Sequence, residues 1–236
     1  MQVSKSQGSG IQSVGSAILH VHDLQKMVAW YGDILDIPIS EVSPEKPYYV
    51  FDMENGVNLM LDDHRFMQDQ KNHPICMLKT LDIEQSYAWV QQNEIQIVMD
   101  VHNAHPGLSY FNIKDSEDNV IMITYSTWVN PDPIAPNHLE NPIKNHLNSI
   151  VISITDLKRA TEWYANLLGH AIKPDRQDGG PIYWFDMDNG TGILLDDNRS
   201  NDGFEKYPSF MLKASNIREA HRFMQNKNVR IIREIE

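Results

Sequence analysis

The residues with chemistry to offer are a histidine, an amide and a carboxylate on two strand-length runs: His20 in "SAILHV", and Asn58 and Asp62 in "VNLMLDD". Strand side chains alternate between faces, so His20 shares a face with Ser16 and Ile18, and Asp62 shares one with Asn58 and Met60. Imidazole and carboxylate together bind divalent metals while leaving positions open for a substrate's oxygens. Two readings stand. His20, Asn58 and Asp62 form a metal site, or His20 is a hydrogen-bonded rim residue and the same surface holds a small molecule without metal. Tyr49, Lys79, Tyr110 and Met122 are the further lining candidates on neighbouring runs. Tyrosine and methionine with a few polar groups suit an apolar or aromatic small molecule. Lys79 would either hold an anion there or snorkel to solvent.

Other motifs read as structure. "LDDHR" at 61–65 returns as "LDDNR" at 195–199, a strand end whose arginine pairs with a neighbouring carboxylate. Trp30, Tyr31, Trp163 and Tyr164 fall on apolar helical stripes and belong to the core. His73 and His146 lie just ahead of strands, in loops. The strand aromatics, among them Tyr48, Tyr49, Phe51, Tyr110 and Phe111, must divide between two faces, and the sequence does not fix which. There is no Gly-rich phosphate loop, no GxSxG and no HExxH. Cys76 is the only cysteine, which excludes an internal disulfide and a cysteine zinc site and leaves it as a small core residue.

The elements that must position these residues occur twice. "GSAILHVHDLQKMVAWYGDIL" returns as "NSIVISITDLKRATEWYANLL", and "YYVFDMENGVNLMLDDHR" as "IYWFDMDNGTGILLDDNR". Asp23 aligns with Asp156 and Phe51 with Phe185, with one residue inserted between the two points. In each copy a strand leads to an Asp at a helix N-cap, and Leu24, Met27, Tyr31 and Leu35 make one stripe on the first helix. Strands are predicted at 38–42, 48–53 and 57–61, giving a βαβββ unit. A more diverged unit follows from Ile75 to Tyr125, so each half holds two units. The fourth keeps a strand at 209–213, a helix at 217–226 and a strand at 229–233, and stops at Glu236. It reads as an incomplete unit, either truncated or completed by a partner chain, since an unpaired sheet edge is normally covered.

The domain organisation is therefore a polar tail at 1–13, a domain at 14–127, a Pro-rich linker at 128–145 and a domain at 146–236. With 236 residues and 41% hydrophobic content, two ordinary cores can be buried. The net charge of −12 argues against nucleic acid or an anionic membrane as partner. The polar start, the lone cysteine and the lack of any apolar run of membrane-spanning length point to the cytoplasm. A small-molecule ligand is the expected partner, with a homodimer left open.

Four βαβββ units, with "HDLQKMVAWYGDILD", "TDLKRATEWYANLLG" and "DSEDNVIMI" as markers, resemble the vicinal oxygen chelate superfamily of glyoxalase I, extradiol dioxygenases and bleomycin-resistance proteins. The resemblance implies an α+β fold of two glyoxalase-like domains, each pairing two units into a curved mixed sheet that forms a cup. It also implies a His or Gln at the start of a unit's first strand and a Glu in its last. Here Ser16, Ile75, Ser149 and Ser209 occupy the first set of positions, and Asn58, Met122 and Gly192 the second. No metal or other cofactor is expected at those positions. The expected function is that of the bleomycin-resistance branch, metal-free binding of a small molecule. The alternative is a metal-dependent lyase, isomerase or dioxygenase with displaced ligands.

Overall fold

The computed structural model describes residues 8–65, 72–127, 140–200 and 207–235. In the first half the elements run β1 (Ile11–His20), α1 (Leu24–Leu35), β2 (Tyr48–Asp52), β3 (Asn58–Asp62), β4 (Cys76–Thr80), α2 (Ile83–Gln92), β5 (Ile97–His105), β6 (Leu108–Lys114) and β7 (Val120–Ser126). In the second they run β8 (Ile143–Ser153), α3 (Leu157–Leu168), β9 (Ile182–Phe185), β10 (Gly192–Asp196), β11 (Phe210–Ala214) and α4 (Ile217–Asn226).

All four helices start by the same device. The side chains of Asp23, Asp82, Asp156 and Asn216 each accept a hydrogen bond from a backbone N–H two or three residues on, which satisfies a donor left over at the first turn. Behind its cap α1 buries Leu24, Val28, Tyr31, Ile34 and Leu35, one stripe at three- and four-residue spacing, while Met27 is half-buried. The first helix of each half ends on a left-handed residue, Asp36 in one copy and Gly169 in the other.

The first half forms one seven-stranded sheet in the order β2-β3-β1-β4-β7-β6-β5, and the second a four-stranded sheet in the order β11-β8-β10-β9. Within each of the first three units the first and last strands are parallel, as in Ser16↔Asn58 and Ser149↔Gly192. Between units the first strands are antiparallel, with Ser16 opposite Met77 and Ser149 opposite Met211. The α+β architecture of paired units is thus present in both halves. One face of each sheet carries the core (Ala17, Leu59, Leu61, Cys76, Leu78, Phe111 and Ile123 in the first) and meets the helices. Among the described residues the other face carries no helix.

The halves are bound by a reciprocal exchange. The turn after β2 reaches β8, where Glu54 N–H bonds Asn145 O at 2.8 Å and Asn55 Nδ2 bonds Leu147 O at 3.0 Å. The turn after β9 reaches β1 in the same way, with Asp188 N–H to Gln12 O at 3.3 Å and Asn189 Nδ2 to Val14 O at 2.7 Å. Residues of both halves accordingly share one hydrophobic core.

Four expectations are corrected. Residues 38–42 form no strand: β2 is already the sheet edge, and the Ser40 N–H is taken by the Tyr49 hydroxyl at 2.9 Å instead of by a ladder partner. Residues 229–233 form none either, because β5, their counterpart, is held only by β6, and β6 has no counterpart within the 236 residues. β1 begins at Ile11, inside the stretch read as tail, and β8 at Ile143, inside the stretch read as linker. His146 lies on β8, not in a loop, and contacts Glu54 at 2.9 Å. The rest of the Pro-rich stretch, 128–139, is outside the described residues.

Candidate functional site

The helix-free face of the first sheet gathers most of the candidates. Register places His20 opposite Asp62 and Asp62 opposite Tyr48, three side chains in a row across β1, β3 and β2. Further along the same face stand Ser16 opposite Asn58, then Met77 and Lys79 on β4, Met122 and Thr124 on β7, and Tyr110 and Asn112 on β6. Lys79 Nζ donates to Gly56 O at 3.5 Å. Met122 stands opposite Met77; the residue bonded to Ile75 is Val120, so Met122 lies two residues further along than a pairing with Ile75 would put it.

Tyr49 is turned the other way. It lies on the core face with Phe51, ring centroids 4.9 Å apart, and its hydroxyl holds Ser40. Tyr48 takes the place on the helix-free face that the sequence reading gave to Tyr49. Asn112, not singled out by the sequence, is 6% exposed there, and its Oδ1 has no hydrogen-bond partner. A buried acceptor left unsatisfied costs about 1–3 kcal/mol, which a donor on a bound molecule would recover.

Tyr48 on β2 and Tyr110 on β6 stand five strands apart in the order. Burial raises the pKa of the Tyr110 phenol, and Tyr48 adds to the rise. Between the two tyrosines, on the same face, lie Met60, Met77, Met122 and Asn112, the wall of the expected cup. A separate hollow of about 440 Å³ lies between the halves, lined by Gly10, Thr80, Asp82, His170 and Asp188 among others. It is bounded by Gly8, where the described chain begins, and is away from this face.

At the rim of the cup the strand ends bring histidines together. One donor atom each from His20, Asp62 and His64 lie within 4.8 Å of one another. His64 packs on His20 and His73, with ring centroids at 4.2 and 3.5 Å. His64 Nδ1 is 3.2 Å from Asp62 Oδ1. His20 Nε2 contacts Pro74 O at 3.1 Å, which fixes the proton on that nitrogen, and Nδ1 is buried without a partner. Desolvation, aided by the charge of His64, lowers the His20 imidazole to about 4, so its lone pair is free at neutral pH. His64 is lowered as well, again chiefly by desolvation. Two neutral imidazoles and a carboxylate are a donor set for a divalent transition metal.

Sequence reasoning brought His20, Asn58 and Asp62 to this wall but missed His64 and His73. The repeat held the missing signal. Position for position the second half has Ser153, Asp196, Asn198 and Tyr207, so the histidines occur in one copy only. The two "DD" turns are otherwise alike: Asp62 and Asp196 cap the backbone N–H of residues 64 and 198, each at 2.8 Å, and Arg65 and Arg199 pair with Asp63 and Asp197.

Residues 13–123 match the model of the Glyoxalase/Bleomycin resistance protein/Dioxygenase superfamily. Among solved structures, the chain resembles a Mn(II)-bound glyoxalase from Novosphingobium aromaticivorans at 12% identity, with a TM-score of 0.57 over 92% of this chain and 71% of that one. It resembles BphC, a halotolerant catechol dioxygenase, at 14% identity, with a TM-score of 0.59 over 94% of this chain and 77% of that one. At these identities the likeness is one of fold. No curated protein sequence matches the chain.

Proposed function

Since the first half of the chain belongs to the Glyoxalase/Bleomycin resistance protein/Dioxygenase superfamily and the second half is its copy, we propose that the first cup binds a small apolar or aromatic molecule. The observation that carries this reading is the buried, unsatisfied Oδ1 of Asn112 on a face that also presents Met77, Met122 and Tyr110. Tyrosine rings and methionines on one face offer an aromatic guest stacking and polarisable contact. Asn112 supplies the buried polar group that would orient it. Lys79 at the wall would favour a guest carrying negative charge. A second reading, a metal-dependent lyase, isomerase or dioxygenase, is favoured by one observation, the convergence of His20, Asp62 and His64 beside Tyr48. No helix among the described residues is long and apolar enough to cross a membrane.

The test is a thermal-shift series with monocyclic aromatics, with and without a carboxylate, since a molecule that binds only the folded state raises its apparent stability. At least one class should stabilise the protein, and Tyr110→Ala and Asn112→Leu should each abolish the shift. If no compound stabilises it, or the shift survives both substitutions, the reading is overturned.

A further inference from the structure

We propose that His20, Asp62 and His64 form a binding site for one first-row transition-metal dication, four residues along both strands from the Ser16–Asn58 pair. Geometry comes first. The three donor atoms lie within 4.8 Å of one another; metal–nitrogen distances of about 2.0–2.1 Å set tetrahedral donors about 3.4 Å apart, so side-chain rotation has to draw them together on binding. The lone pairs come next. His20 Nδ1 is buried without a hydrogen-bond partner, the Pro74 carbonyl holds the proton of His20 on the opposite nitrogen, and His64 Nδ1 lies 3.2 Å from Asp62 Oδ1. A ligand imidazole oriented by a carbonyl on its far nitrogen is a usual feature of metal sites.

The duplication supplies the control. The second half folds the same turn with Asn198 at a φ of 59°, where the first has His64 at 55°. Asparagine and histidine are both enriched in the left-handed region, so the turn does not by itself require a histidine at 64. Neither Ser153 nor Tyr207 in the other copy suggests that the fold needs His20 or His73. His20 and His64 converge on Asp62, with His73 packed against both rings, in one half only. Fold maintenance does not account for that coincidence.

Two imidazoles and one carboxylate favour zinc, iron(II) or cobalt(II) over magnesium or calcium, which prefer all-oxygen sites. Three protein donors leave coordination positions open. Tyr48, opposite Asp62 on the neighbouring strand, lies beside them on the same face. The metal site stands independently of the aromatic-ligand reading, since its test needs no organic ligand.

The full chain is stripped with a chelator and dialysed against Zn²⁺ or Co²⁺ alone, followed by elemental analysis and visible absorption of the cobalt form. His20→Ser and His64→Asn, which install the residues of the second half, are the test variants. Asp62 is kept because it caps the turn. One equivalent should bind to the wild type with Co²⁺ d–d bands, and each variant should bind at least about tenfold more weakly. Their melting temperatures in chelator should match the wild type; should one variant fail to fold, the other decides. No stoichiometric uptake by the wild type, or uptake unchanged in the folded variants, would overturn the proposal and assign any bound metal to other histidines.

Discussion

The Tyr164 hydroxyl on α3 donates a 2.7 Å hydrogen bond to Asp115 Oδ2, tying the first helix of the second half to the turn between β6 and β7. The other oxygen of Asp115 accepts from the backbone N–H of Glu117 and Asn119, each at 2.8 Å. Two residues on, Glu117 accepts from Thr155 N–H and from Arg159. One acidic turn therefore closes this end of the seam. Burial raises the Asp115 carboxyl above its usual range, and the hydrogen bonds from Asn119 and Tyr164 act against that rise.

Tyr164→Phe should destabilise the protein by about 1.5–3 kcal/mol at pH 7, the range for a hydrogen bond to a charged acceptor. The sign with pH follows from the carboxyl. A folded pKa above the unfolded one means that stability falls as pH rises through that interval, and losing the Tyr164 donor raises the folded pKa further. The penalty of the substitution should therefore be larger at pH 7 than at pH 4. Urea unfolding at the two values checks this; an equal penalty would mean that Asp115 is uncharged at the seam.

The reciprocal turns make a paired prediction. Asn189→Ala removes the side-chain donor to Val14 O and should cost about 1–2 kcal/mol. Asn55→Ala removes the donor to Leu147 O, but that carbonyl still accepts from Thr191 Oγ1 at 2.8 Å, so the cost should be smaller. Urea midpoints of the two variants should fall in that order, and the reverse order would count against the exchange as drawn.

Much of this fold was legible because the duplication checks itself. Asp23 and Asp156 stand before matching apolar stripes, and both cap helices. The aligned positions of the two halves also pair alike, with Ser16 opposite Asn58 and Ser149 opposite Gly192. The faces were less legible. Tyr48 and Tyr49 are adjacent aromatics on an edge strand, and only the register Phe51↔Leu59 assigns the odd-numbered pair to the core. His73 escaped because a residue in the loop before β4 has no periodicity to place it, and His64 because its left-handed turn takes it off the strand pattern.

Cys76 should be inert in the native protein. It is 1% exposed on the core face of β4, and burial pushes its thiol well above the usual range, so the reactive thiolate is almost absent at neutral pH. Labelling with a chromogenic disulfide reagent should proceed only as fast as the protein opens, and at once in denaturant. Rapid labelling under native conditions would mean that β4 is accessible from the core side.

The two neighbouring tyrosines of β2 separate structure from binding. The Tyr49 hydroxyl accepts from Ser40 N–H at 2.9 Å, and Tyr183, its copy, accepts from Lys173 N–H at 2.9 Å, so the same clamp holds the segment after the first helix in both halves. A feature built twice, once in the half that lacks the histidine cluster, belongs to the fold. Tyr49→Phe should cost about 0.5–1.5 kcal/mol of stability and leave aromatic-ligand affinity unchanged. Tyr48 is 39% exposed on the helix-free face. Tyr48→Ala should alter stability by no more than about 0.5 kcal/mol and weaken the ligand severalfold. Chemical denaturation and ligand titration on both variants distinguish the cases, and an unchanged affinity in Tyr48→Ala would remove that ring from the binding surface.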